Sequence, residues 1–353
     1  MTIQKSAAGP FRGNMEPPVP ADLTPTVAVD YLRNHGIIPQ DVQPDADPLG
    51  GGVSNHVFRI TWADDCLVLK QPLPNLAVED DWPADIDRIH NEAAAARTYA
   101  RVIATEKLPA RVPTVYYEDD VAHLIVIECA PVGAGSWKAD LLSGEVDQSV
   151  AETVGRVLGA VHTAATDDPA VQERFASKRP FEQLRIDPYH RTTADRHPDV
   201  AEQIMAEVDR IMGVDRTLVH GDYSPKNVLL GDVPWIIDFE VAHWGDPAFD
   251  VAFMSNHLFI KSVYNADSQA AYLDAADRFW TAYRETVPWT LESDVIAELG
   301  ILMLARVDGK SPVEYVDDGP VAETLRRIAK RSIRKPVSTF DGFIAITKEE
   351  TPT

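Results

Sequence analysis

The chain has 353 residues, 45% of them hydrophobic, enough to bury the cores of two packed lobes and too apolar for bulk disorder. Its 55 Asp and Glu against 33 Lys and Arg leave a net charge of −22, which disfavours nucleic-acid and membrane-surface binding and is compatible with a cationic ligand. No run approaches the ~18 apolar residues of a membrane helix, and no signal-peptide pattern is visible. Cys66 and Cys129, the only cysteines, read as separate buried thiols suited to a reducing compartment, so a soluble, cytoplasmic protein is expected.

Residues 1–22 carry Pro10, Pro17, Pro18 and Pro20 with little periodic apolar content and read as a flexible tail. Thr24-Pro25 fits an N-cap with proline in the first turn, opening a short helix toward Asn34 that ends near Gly36. In Asn55–Trp62, Phe58, Ile60 and Trp62 alternate with polar residues; across a turn at Asp64-Asp65, residues 66–70 form a second apolar run and complete a hairpin. Residues 83–102 are helical, with Ile86, Ile89, Ala93, Ala96 and Ala100 on one stripe. Strands are predicted at 115–117 and 123–129.

Beyond Pro131 the pattern is mainly helical. Residues 150–163 are amphipathic, and 165–215 are polar and read as a surface insertion. Short strands at 217–219, 228–230 and 235–237 precede helical stretches at about 248–261, 268–286, 291–307 and 319–333. The predicted division is a tail (1–22), a sheet-and-helix N-lobe (23–131) and a larger C-lobe (132–353).

The strongest local signal is His220-Gly221-Asp222-Tyr223-Ser224-Pro225-Lys226-Asn227, followed by strand, turn, strand and then Asp238-Phe239-Glu240. Phosphoryl transfer needs a carboxylate to orient and deprotonate the attacking hydroxyl, and oxygen ligands for the Mg²⁺ that neutralises the phosphate. Asp222 and Asn227 on a loop, with Asp238 closing a neighbouring strand, supply those parts. Gly50-Gly51-Gly52-Val53-Ser54-Asn55 leads into the first strand and lets backbone approach phosphate oxygens, although it also fits a flexible turn. No Gly-Lys-Ser/Thr and no helix follow, which excludes a P-loop and a dinucleotide fingerprint. Lys70 closes an apolar strand and Glu92 lies on the alanine-rich helix; they read as an ion pair holding ATP phosphates, or as a snorkelling lysine and a solvated glutamate. The histidines show no HxH or HExxH pairing, which argues against a metal-dependent hydrolase.

Taken in order with Ile127-Glu128-Cys129-Ala130 and Gly245-Asp246-Pro247-Ala248-Phe249-Asp250, these motifs resemble the aminoglycoside/choline phosphotransferase family of the protein-kinase-like fold, over about residues 50–255. Residues 137–142 and the general layout are nearer to methylthioribose-kinase-like members than to antibiotic kinases. The resemblance implies an α+β two-lobe fold, with a small antiparallel-sheet N-lobe bearing one main helix and a larger, mainly helical C-lobe. It implies an ATP- and Mg²⁺-dependent kinase phosphorylating a hydroxyl of a sugar, amino sugar (aminoglycoside) or amino alcohol.

Carried over to this sequence, the resemblance makes Asp222 the catalytic base and Asn227 and Asp238 the Mg²⁺ ligands. Lys70 contacts ATP phosphates with Glu92 orienting it, while Gly51, Gly52 and Ser54 cover them. Backbone groups of Glu128 and Ala130 meet the adenine edge, and Asp250 and His220 brace the catalytic loop. Phe239-Glu240 stands where protein kinases carry Phe-Gly, and no Ala-Pro-Glu anchor follows; both features favour a small acceptor over a protein. The alternative is an inactive nucleotide-binding protein that keeps the fold, and a homodimer is compatible with either reading. Acceptor contacts are expected from residues 165–215, the helix around His257 and residues 306–315. The basic cluster from Arg326 to Lys335 reads as a solvated helix face or as acceptor contacts; Glu182, Asp187 and Asp195 are candidate ligands for a polyamine.

Overall fold

Alternation along the first hairpin sets the N-terminal architecture. In the computed structural model, which describes residues 23–50, 53–77 and 82–352, five antiparallel strands form a sheet in the order β1-β2-β3-β5-β4. They are β1 (Asp45–Pro48), β2 (Asn55–Trp62), β3 (Asp65–Pro72), β4 (Val115–Asp119) and β5 (Leu124–Glu128). One face presents Phe58, Ile60, Leu67, Leu69, Leu124 and Val126 to helix α1 (Pro25–Asn34). The other presents Val68, Ile125 and Ile127 to Ile89 and Ala93 of helix α2 (Arg88–Glu106). The period of two in the strands is thus what sandwiches the sheet between two helices. The expected N-cap is present, with the Thr24 hydroxyl accepting the Val27 N–H, and Gly36 follows the helix at φ 65°. The predicted tail and the predicted phosphate-covering Gly51 and Gly52 lie outside the described residues.

Strand β1, which the sequence reading did not mark, is Asp-Ala-Asp-Pro, an exposed edge strand with Pro48 at its end. Helix α2 starts at Arg88 rather than near Pro83. Pro83 pairs with Asn75, and the Asp85 carboxylate accepts the Asp87 N–H at 3.1 Å, closing a turn that competes with helix.

The cysteine expectation is corrected. Strands β3 and β5 pair antiparallel with Leu67 opposite Glu128, so the next rung sets Cys66 beside Cys129. The two form a disulfide with Cα atoms 5.8 Å apart, and both are partly exposed. A 63-residue separation hid a contact that strand register imposes.

The remainder is mainly helical. Helices α3 (Trp137–Ser143), α4 (Gln148–Thr166), α5 (Pro169–Arg174) and α6 (Arg179–Phe181) lead to a π-helical segment, Glu182–Arg191. Helices α7 (Thr192–Arg196) and α8 (Ala201–Gly213) follow. Strands β6 (Gly135–Ser136), β8 (Val228–Leu230) and β9 (Pro234–Ile236) make one small sheet; β7 (Thr217–Val219) and β10 (His243–Gly245) make another. The C-terminal part ends in α9 (Pro247–Tyr264), α10 (Gln269–Arg284), α11 (Glu292–Asp308), α12 (Pro320–Arg334) and α13 (Phe340–Glu350). No helix among the described residues is long and apolar enough to cross a membrane.

Residues 165–215 are not a surface insertion. Leu184, Ile186, Tyr189 and His190 are buried, and some of the polar members pair inside the molecule: His190 Nε2 lies 2.7 Å from Glu298. The helical period fails there because Pro188 has no N–H to continue an α ladder. The basic residues of α12 face outward. Arg326 pairs with Asp308 and Asp318, Arg327 and Arg331 with Glu350, and Lys330 and Arg334 with Asp199.

Helices α4 and α10 approach closely because small residues face the contact. A Cβ built on Gly155 would lie 2.4 Å from the Phe279 carbonyl oxygen. Gly155→Ala is expected to lower unfolding stability by roughly 1–3 kcal/mol, read from the urea midpoint at constant m-value. Gly213→Ala, whose Cβ meets nothing within 4 Å, is expected to leave the midpoint unchanged or raise it.

Candidate active site

A cleft of about 890 Å³ runs between the five-stranded sheet and the helical part. Val57, Val68 and Ile127 line it from the sheet side, and Leu229 and Ile237 from the other. Lys70, Glu92, Asp222, Asn227 and Asp238 all reach the same cleft, as do Ser54, Glu128 and Ala130.

Strand β3 delivers Lys70 into the interior, where it is 6% exposed. Its Nζ lies 2.6 and 2.7 Å from the two Glu92 carboxylate oxygens and 3.0 Å from Asp238 Oδ1. Burial works against the ammonium, but Asp238, Glu92 and Glu240 outweigh it and raise the lysine pKa above its ordinary value. The same lysine, with Lys226, holds the Asp238 carboxyl below the usual range against the opposing effect of burial. Of the two alternatives for Lys70 and Glu92, the structure has the ion pair.

The loop after β7 presents Asp222. Gly221 sits at φ 77°, and a Cβ there would meet Val241 at 2.7 Å. Beneath the loop, the fully buried Asp250 accepts the backbone N–H groups of His220 and Gly221 at 2.6 and 2.8 Å. His220 packs against Tyr99, Tyr223 and Phe239 and its Nδ1 accepts the Asp222 N–H, a wholly internal position. Asp222 Oδ1 meets Arg185 at 2.8 Å, and Oδ2 meets Asn227 Nδ2 at 2.8 Å and Lys226 Nζ at 3.0 Å. Burial would raise the Asp222 pKa; Arg185 and Lys226 bring it below the ordinary value, so the group is ionised at neutral pH. With three donors on a carboxylate that offers about four acceptor positions, room for one further hydrogen bond remains.

Asp238 follows β9 at φ 70°, a left-handed conformation that an aspartate tolerates better than most residues. Its side chain is 22% exposed, toward the cleft. Asn227 donates its amide nitrogen to Asp222, leaving the amide oxygen as its remaining ligand atom.

Sequence reading missed three contributors. Arg185, in the π-helical segment, ties the loop from the side through Gly221 O at 2.7 Å as well as through Asp222. Its only signal was an arginine flanked by Leu184 and Ile186. Arg88, wholly buried at the start of α2, binds Glu240 at 2.9 Å and the carbonyls of Ser54 and Leu73. Glu240, noticed only as a departure from Phe-Gly, also accepts from the Ser54 hydroxyl at 2.7 Å and from Asn55 at 3.0 Å. The polyamine candidates dissolve: Glu182 and Asp187 both pair with Arg191, and Asp195 does not line the cleft.

Residues 45–289, most of the chain, match the family described as "Phosphotransferase enzyme family". The chain belongs to this family. As a member of this phosphotransferase family it is a small-molecule kinase. Methylthioribose kinase of Bacillus cereus (strain B4264) is 25% identical over 295 residues, covering 75% of this chain and 73% of the relative. Methylthioribose kinase of Bacillus thuringiensis (strain Al Hakam) is 24% identical over the same coverage. Among solved structures, the amicoumacin kinase hAmiN in complex with AMP-PNP, Ca²⁺ and Ami superposes with a TM-score of 0.53 at 15% identity, covering 90% of this chain and 96% of that one. A spectinomycin phosphotransferase in complex with ADP and spectinomycin gives 0.51 at 12%, covering 92% and 93%. At such identities these likenesses carry the fold alone, and it is the kinase-like phosphotransferase fold.

Arg88 and Glu240 form a buried pair joining α2, the loop before β2 and the segment after Asp238. Arg88→Ala leaves the carboxylate without its cation and is expected to cost about 3–5 kcal/mol in denaturant unfolding. Combining Arg88→Met with Glu240→Gln is expected to recover part of that loss.

Proposed function

We propose that this cleft transfers the γ-phosphoryl group of ATP, with Mg²⁺, to a hydroxyl of a sugar, amino sugar or amino alcohol. The observation carrying the reading is the convergence of Asp222, Asn227, Asp238 and the ion-paired Lys70 on one cavity. Chance placement of solvated side chains does not bury a lysine between two carboxylates.

The purine would lie between Val57, Val68 and Ile127 on one side and Leu229 and Ile237 on the other. Glu128 would meet its edge through backbone only, because its carboxylate is committed to Arg111 and Thr114. Lys70, kept charged and aimed by Glu92, would meet the phosphate chain beneath Ser54. The donors fit Mg²⁺: Asn227 offers an amide oxygen and Asp238 an ionised carboxylate, hard ligands of the kind that ion takes alongside substrate phosphates. Bound there, Mg²⁺ would supply charge neutralisation for the transferred group.

Asp222 would accept the acceptor hydroxyl's hydrogen bond at its remaining position, align the oxygen with phosphorus and take the proton as the O–P bond forms and ADP leaves. Its low basicity favours proton transfer late in that process. Methylthioribose is the first acceptor to try, since the curated relatives covering three quarters of the chain are named for it.

Asp222→Asn keeps the shape of the side chain while removing its charge and basicity. Turnover, measured as acceptor-dependent ADP release, is expected to fall roughly 10²–10⁴-fold with nucleotide affinity little changed. Full turnover in that variant would remove Asp222 from its assigned role.

A further inference from the structure

The wall beyond Asp222 has the wrong sign for a polycationic acceptor. In a protein of net charge −22, the cleft is lined beyond Asp222 by Lys138, Arg185, Lys226 and Lys310; Arg306 stands behind Tyr189 and Ser311, and Lys261 feels the charges of both Lys138 and Arg306. Asp222 occupies Arg185 and Lys226, and Glu314 pairs with Lys138. Lys261 and Arg306 meet no carboxylate among the described residues.

That absence is costly for a cation as buried as Lys261. Lys261 lies on α9; among the described residues its Nζ has hydrogen-bond partners only in the Tyr315 hydroxyl at 3.3 Å and the His257 carbonyl at 3.5 Å, both long, and it lies 5.0 Å from the centre of the Tyr315 ring. Arg306 on α11 donates through one nitrogen to Tyr189 and Ser311, and its Nε is buried without a partner among the described residues. Burial, then the charges of Lys138 and Arg306, bring the Lys261 pKa down to about 7, against which Glu314 is the opposing charge; Tyr315 and His257 are the other titratable groups facing it. Tyr189 joins this cluster to the reaction centre, since the guanidinium groups of Arg185 and Arg306 lie 5.7 and 5.5 Å from its ring. Protein interiors rarely keep adjacent unpaired cations unless an anion completes them.

We infer that Lys138 on the cleft wall, backed by the charges of Lys261 and Arg306 within it, forms a subsite for the anionic group of a hydroxylated acceptor, a carboxylate or a phosphate, whose hydroxyl is thereby presented to Asp222. The inference rests on the kinase reading above and narrows its acceptor to a sugar that also carries an acidic group. Amino sugars and amino alcohols would be repelled.

The test uses the full chain with Mg-ATP and three acceptors on one carbon skeleton: ribose, ribonate and ribose 5-phosphate, with kanamycin as the cationic comparison. Ribonate or ribose 5-phosphate is expected to show a kcat/KM at least about tenfold above ribose, the two separating a carboxylate from a phosphate preference. Lys261→Met and Arg306→Gln are expected to erase that ratio through KM, leaving the KM for ATP unchanged. Lys261→Met removes an unpaired buried charge, so its melting temperature should hold or rise, which separates recognition from folding. Equal or better use of ribose or kanamycin, or an unchanged ratio in both variants, would overturn the inference. If neither these acceptors nor methylthioribose is turned over, the kinase reading fails separately. The subsite is then read by the melting shift that ribonate or ribose 5-phosphate gives the ADP-bound chain. A shift lost in Lys261→Met supports the subsite, and absence of any shift refutes it.

Discussion

A lysine buried between two carboxylates from different parts of the chain organises this molecule. Lys70 comes from the sheet, Glu92 from the helix packed on it and Asp238 from the segment after β9. None of the three charges is tolerable alone in that interior; together they neutralise one another and fix the sheet, α2 and the helical part in a single arrangement. A few ångströms away, Arg88 and Glu240 repeat the device and attach the loop carrying Ser54. The excess charge at this junction is negative and faces an opening, which is the condition for holding a cation and a polyanion together.

The loop carrying Asp222 is held by different means. Asp250 grips two backbone N–H groups from below, Arg185 clamps Gly221 O and Asp222 from the side, and Gly221 supplies the backbone conformation. Rigid backbone with one partly open carboxylate position is what an orienting group requires. Elsewhere near the cleft, Lys261 and Arg306 meet no carboxylate among the described residues, unlike Lys70 and Arg88.

Much of this was legible from residues that do one job in any context. The Thr24 cap, the period-two hairpin and the spacing of Asp222, Asn227 and Asp238 follow from local pattern, whereas the Lys70–Glu92 ion pair was one of two readings that sequence left open. The bracing role of Asp250 followed from resemblance. What stayed hidden depended on partners remote in sequence. Cys66 and Cys129 meet through strand register, β1 exists only because β2 offers it an edge, and Arg185 was obscured where Pro188 breaks the helical period. The polar content of residues 165–215 suggested solvent, whereas several of those side chains satisfy each other inside the protein. Sequence polarity alone does not distinguish a hydrated charge from a paired one.

The most direct measurement is calorimetric titration of the full chain with AMP-PNP, with and without Mg²⁺, for the wild type and Asp238→Asn. The expected result is nucleotide binding that strengthens markedly with Mg²⁺ in the wild type and loses that dependence in the variant. Binding of equal strength with and without the ion in both proteins, or no binding in either, would contradict a cleft built to hold a cation and a triphosphate together.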